Sequence, residues 1–227
     1  MCGRFTNTRE RAELVERFAA KVSARLAESY GPRYNVAPTQ TVAAIRIVGD
    51  DGERIADALR WGLIPRWAKD RKLGYKLINA KAETLAEKPA FRSLLPRHRC
   101  LIPADGFYEW RTNAEGKRVP VRYTIAADEL FAFAGLWAAW HDPELDELVE
   151  SCTIVTTRAN DLVAAVHDRM PVILPREVEA DWLDPDISVE HAVSLLEPFP
   201  AGLMRARPAS PLVNSVKNEG PELLVAA

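Results

Sequence analysis

Four side chains of types that move protons or form bonds, Cys2, Asn79, Glu109 and His167, stand out in a chain of 227 residues. Cys2 follows Met1, and so small a residue at position 2 favours removal of the initiator methionine. A terminal Cys2 then carries an α-amine of pKa about 7.7–8 and a thiol of about 8.5 on one skeleton. Such an aminothiol meets an aldehyde in two steps: the amine forms an imine, and the sulfur closes a five-membered thiazolidine. The competing reading is an incidental cysteine at a mobile terminus. Gly3 lets a backbone approach closely, and Arg4 is a phosphate-pairing residue.

Glu109 lies in Gly106-Phe107-Tyr108-Glu109-Trp110. Strand alternation puts Asp105, Phe107, Glu109 and Arg111 on one face, with Tyr108 and Trp110 on the other. Desolvation beside the aromatics would raise the carboxyl pKa and suit it to acid–base work; a surface ion pair with Arg111 is the alternative. His167 heads His167-Asp168-Arg169-Met170-Pro171, next to a helical run at 162–166 whose C-terminus favours a cation. Three polar groups in one tight turn read as a site, whereas His98, His141 and His191 read as surface or structural. In Asn79-Ala80-Lys81-Ala82-Glu83-Thr84, Asn79 is either a helix cap or a group that fixes a terminal amine or backbone, and Lys81 could bind phosphate. The loops Asn35-Val36-Ala37-Pro38-Thr39 and Trp61-Gly62-Leu63-Ile64-Pro65-Arg66-Trp67 offer Pro38 and Trp67 to stack on bases, or to cover a sheet edge.

The elements that must position these residues are mostly strands. Alternating apolar residues predict Thr41–Val48, turned by Gly49-Asp50-Asp51-Gly52 into a partner over 54–59, then strands at 99–104, 106–111, 119–126, 130–138 and 151–157. Leu14, Val15, Phe18, Val22 and Leu26 recur at helical spacing, with Asn7 and Glu10 as a capping box and Gly31-Pro32 as the stop. Short helices are expected at 160–166, 176–183 and 188–196, while breakers keep 62–98 irregular. Strands dominate without strict β-α alternation, which predicts an α+β single domain around a mainly antiparallel, barrel-like sheet with peripheral helices. That domain should span residues 2–210, with a tail at 211–227 open to partial disorder.

A net charge of −2 conceals segregation: residues 60–122 carry +9 and residues 123–200 carry −13. A basic block interleaved with Trp61, Trp67, Phe91, Phe107 and Trp110 suits a polyanion whose bases can stack, which describes single-stranded nucleic acid. The bland alternative is a solvated basic face balanced by the acidic block. Three cysteines without a C-x-x-C pair argue against a zinc ribbon and a disulfide framework, so no metal is expected. No apolar run reaches the ~20 residues of a membrane span.

Together and in order, Met1-Cys2-Gly3-Arg4-Phe5, the Asn35 and Trp61 loops, the Asn79 and Gly106 segments and His167-Asp168-Arg169-Met170-Pro171 resemble the SRAP family, the SOS response-associated peptidase domain. The resemblance covers residues 2 to about 210. It implies a protein that shields abasic sites in single-stranded DNA through a covalent bond from its N-terminal cysteine, with possible autopeptidase and lyase activity. By motif, Cys2 would be the nucleophile, Asn79 would hold the terminal residue, and Glu109 and His167 would serve proton transfer. Arg4, Lys81 and Arg169 would hold phosphates, Pro38 and Trp67 would flank bases, and Asn35 joins this DNA-binding set. Lys81 stands where the family usually has Arg, which keeps the charge and loses the bidentate fork. A monomer without cofactors, cytoplasmic and nucleoid-associated when on DNA, is the expected form. Two other readings compete: a cysteine peptidase built on Cys2, His167 and Glu109, and a non-catalytic module that binds single strands.

Overall fold

The computed structural model describes residues 2–49, 52–126 and 129–225. Met1, and Asp50 and Asp51 of the expected hairpin turn, lie outside them. The chain runs β1 (Phe5–Asn7), α1 (Arg11–Phe18), β2 (Lys21–Val22), α2 (Ala24–Ser29), β3 (Arg33–Val36), β4 (Thr41–Val48), β5 (Glu53–Trp61) and β6 (Asn79–Lys81). It continues through β7 (Arg99–Ala104), β8 (Gly106–Thr112), β9 (Arg118–Ile125), β10 (Phe131–Asp142), β11 (Glu147–Arg158), α3 (Asp161–Ala164), β12 (Arg169–Pro171), β13 (Ile173–Leu174), α4 (Glu179–Leu183), α5 (Val189–Ser194) and β14 (Met204–Pro208).

One sheet is antiparallel, in the order β14-β9-β8-β1-β3. The larger runs β12-β11-β10-β7-β4-β5-β2, and a parallel contact of β11 with β5 closes β5, β4, β7, β10 and β11 into a ring. This is the α+β, barrel-like architecture the strand pattern predicts. Alternation along β4 shows why it holds: Ala43 and Ile45 pack on one side with the helices, through Leu14, Phe18, Leu26 and Trp182. Val42 and Ala44 pack on the other with Phe5, Phe107 and Tyr123 of the first sheet. Cys2 belongs to this second cluster, as do Cys100 and Cys152, and all three thiols are free and buried.

The expected long N-terminal helix is divided. Glu10, not Asn7, caps α1 and exchanges capping hydrogen bonds with Glu13, while Asn7 belongs to β1. Ala19 turns left-handed at φ 48°, Val22 pairs with Ala56 in β5, and Ser23 caps α2. Sheet pairing outweighs a helical periodicity here. Within residues 211–225 Val213 and Leu223 are buried and most of the others are exposed.

Candidate functional site

The amino-terminal strand is zipped onto β8: the amide of Tyr108 donates to the carbonyl of Arg4 and that of Asp105 to Thr6, each at 2.9 Å. Phe5 drives the strand inward, with its ring edge-on to Trp61 at 5.2 Å and to Phe133 at 5.7 Å. Cys2 follows it into the core, with its sulfur 3.9 Å from the Arg4 carbonyl. Burial, then the negative charge of Glu109, pushes the thiol well above its ordinary range.

Asn79 is no helix cap. It opens β6, opposite Ile154 of β11, and its side-chain amide donates to the Cys2 carbonyl at 2.8 Å. Among the described residues its buried Oδ1 has no hydrogen-bond partner. Glu109 sits in β8 opposite Val121 and is only 4% exposed, which removes the surface-pair alternative. Burial raises its carboxyl, against nearby positive charge that includes His167. The amide of Arg169 donates to His167 Nδ1 at 2.9 Å. The same nitrogen lies 2.9 Å from Asp168 Oδ1.

Gly3, Arg4, Glu109, Trp110, Arg118, His167 and Asn214 border one open recess of about 450 Å³. Arg4 builds its wall: one guanidinium nitrogen donates to Asn35 Oδ1 at 2.6 Å and to the Val213 carbonyl at 2.7 Å, and its charge lies 5.6 Å from the centre of the Trp110 ring. Asn35, expected to contact DNA, is instead fully buried. Its amide donates to the carbonyls of Ser215 and Asn218 at 2.9 Å each, so it holds Arg4 and the returning C-terminal segment in place.

The remaining expected residues do not line this recess. Lys81 is exposed on β6 opposite Thr156 of β11. Arg169 donates to the Thr156 carbonyl at 2.6 Å and grips Glu83 with both terminal nitrogens, at 2.7 and 2.9 Å. Pro38 is half-buried beside Thr39. Trp67 is 60% exposed over a separate groove, whereas Trp61 is wholly buried and donates to the Ile78 carbonyl. Among the described residues no cluster of three His, Cys, Asp or Glu could hold a metal, and no helix is long and apolar enough to cross a membrane.

Sequence reasoning missed Arg118, Asn214 and the Glu83 fork. Arg118 pairs with Thr112 across the β8–β9 hairpin, two residues beyond Trp110, so strand register could have found it. Asn214 accepts from the Trp110 indole at 2.6 Å over more than a hundred residues of chain, a contact without local signal.

A family model described as SOS response associated peptidase (SRAP) matches residues 1–216. The chain belongs to this family. Among SRAP relatives, the abasic site processing protein YoqW of Bacillus subtilis is 48% identical over 226 residues, covering 99% of each chain. The abasic site processing protein HMCES of Gallus gallus is 32% identical, over 86% of this chain and 66% of its own. A crystal structure of a Bacteroides thetaiotaomicron protein superposes with a TM-score of 0.89 at 26% identity, covering 100% of both chains. Another, from Bordetella bronchiseptica, gives 0.77 at 30% identity over 92% of this chain and 100% of that one.

Proposed function

We propose that this SRAP protein captures abasic sites in single-stranded DNA through a thiazolidine formed by Cys2 after Met1 is removed. The observation that carries the reading is the hydrogen bond from Asn79 to the Cys2 carbonyl at 2.8 Å. It holds this residue by its backbone and engages neither the amine nor the thiol. The names of the relatives support abasic DNA as the substrate.

The thiol is pushed up, so the amine attacks first. It adds to the open-chain aldehyde of the lesion, and the carbinolamine loses water to give an imine. The S–H then adds across C=N, sulfur to carbon and proton to nitrogen, with no oxidant or reductant. Glu109, with its raised carboxyl, and His167 pass protons at the carbinolamine; a positioned acid or base is worth about 10²–10⁴-fold. Closure gains from holding sulfur and imine carbon on one residue. The same raised thiol speaks against the peptidase alternative, which needs a thiolate. Arg4, Lys81 and Arg169 serve the phosphates, and Pro38 and Trp67 flank the bases.

Intact mass after incubation with an abasic oligonucleotide tests the reading. Wild type gives a heat-stable adduct without reductant, at the sum of the two masses less one water. Cys2→Ala gives only an imine that borohydride traps. A chain that retains Met1 gives no thiazolidine, although its thiol is present. A heat-stable, reductant-free adduct from Cys2→Ala would sink the mechanism.

A further inference from the structure

Tyr75 has no part in the capture chemistry, yet it keeps 61% of its surface exposed on backbone held in place from below. It belongs to the 3-10 turn Arg71–Lys76, whose Gly74 lies directly against Gly62 at the end of β5. A Cβ on Gly62 would meet the Gly74 carbonyl oxygen at 2.7 Å, and one on Gly74 would meet that of Gly62 at 2.8 Å. The Leu63 amide donates to the Leu77 carbonyl at 3.1 Å beside this contact. Two glycines therefore seat the turn against the strand, and the tyrosine stands out from it.

Arg60 lies against the ring, its guanidinium carbon 5.8 Å from the centroid, and its Nη1 donates to the Thr39 carbonyl at 2.7 Å. The ring is thus joined through one side chain to the loop that carries Pro38. On the other side of the turn, Trp67, Lys69, Asp70, Lys72, Leu73 and Lys76 line an open groove of about 390 Å³. Among the described residues, the three lysines have no carboxylate partner, and Asp70 is turned to the amide of Lys72 at 2.5 Å. An isolated exposed ring needs no explanation. A braced one, with Arg60 against it and three lysines beside Trp67 in the neighbouring groove, has a matching ligand: a nucleobase on a phosphate backbone.

We propose that Tyr75 is a further stacking platform for the DNA strand, with Arg60 behind the ring and Lys72 and Lys76 on the adjoining phosphates. This rests on the single-strand reading above and extends it to a second contact on the same strand. Tyr75 lies four positions before Asn79, at most about 14 Å of chain. A stacked strand advances about 3.4 Å per nucleotide, so Tyr75 meets a base within about four nucleotides of the lesion.

The test measures non-covalent affinity of Tyr75→Ser and Tyr75→Phe for undamaged strands, and capture of abasic strands with long or single-nucleotide flanks. The hydroxyl is dispensable to a stacking ring, so Tyr75→Phe should match wild type, while Tyr75→Ser should bind roughly tenfold more weakly. At limiting concentration Tyr75→Ser should capture the long-flanked abasic strand more slowly and match wild type on the short one. Unchanged melting temperatures verify that an exposed substitution leaves the fold intact. Wild-type affinity in Tyr75→Ser overturns the proposal, and so does equal loss in Tyr75→Phe or an equal defect on short flanks. A wild-type protein that binds single strands but forms no adduct overturns the capture reading and leaves the Tyr75 platform standing; one that binds no strand removes both.

Discussion

Asn79 grips Cys2 by the one polar group of that residue that the proposed chemistry does not consume, its carbonyl oxygen, at 2.8 Å. Removing the donor in Asn79→Ala loses a hydrogen bond worth about 1 kcal/mol and loosens the amine, so capture should slow. Asn79→Asp should be slower still, because it sets a carboxylate oxygen against the carbonyl. Single-turnover adduct formation reads both; an Asp variant as fast as the Ala variant would show that the contact does not orient Cys2.

Two tryptophans of one motif should separate cleanly. Trp61 is buried among Phe5, Leu59 and Cys152, so Trp61→Ala should cost about 3–5 kcal/mol of stability. Trp67 is 60% exposed, so Trp67→Ala should leave the melting temperature alone and weaken single-strand binding by about 1–3 kcal/mol. Thermal melts beside salt titrations distinguish them, and a destabilised Trp67→Ala would contradict the assignment.

The Arg169 fork is occupied by Glu83, whose carboxyl is held below its ordinary range chiefly by that hydrogen bond. If Arg169 takes a phosphate, it must first release a half-exposed carboxylate, at a cost of about 0–1 kcal/mol. Glu83→Gln should therefore tighten single-strand binding up to about fivefold, and Arg169→Ala should weaken it. No change in either variant would confine Arg169 to bracing β12 against β11.

Glu109 sets a pH dependence of stability opposite to that of a paired carboxylate. Its folded-state pKa lies above the ordinary value of 4.5, with burial the chief cause. Between those values the folded state holds more protons than the unfolded one, so this group's contribution falls as pH rises. Glu109→Gln should match wild type in melting temperature below pH 4.5 and gain on it as pH rises from there to the folded-state pKa, while capture slows. A difference that does not vary with pH would show that Glu109 is not held protonated by burial.

What was legible in the chain follows from the range of the forces involved. Thr41–Val48 is found as predicted because each residue's face is decided by its neighbours two positions away. Glu109 was placed correctly on the Phe107 face for the same reason. The helix through Val22 failed because the competing partner, Ala56, lies in another strand. Asn35 was misjudged because its hydrogen bonds reach residues 213–218, nearly the whole chain away. Trp61 and Trp67 share a motif and a residue type, and only tertiary packing tells them apart.

The ties of Arg4 and Asn35 to carbonyls at 213, 215 and 218 fix an order of assembly during synthesis. Arg4 leaves the ribosome 209 residues before its Val213 anchor. Until residues 213–218 emerge, Asn35 lacks the carbonyls its amide bonds in the folded chain, and Arg4 lacks its Val213 anchor. On the proposed chemistry, a nascent chain stripped of Met1 would present its aminothiol before the scaffold that aims it, so aldehydes met during translation would face a bare terminal cysteine and not an assembled site.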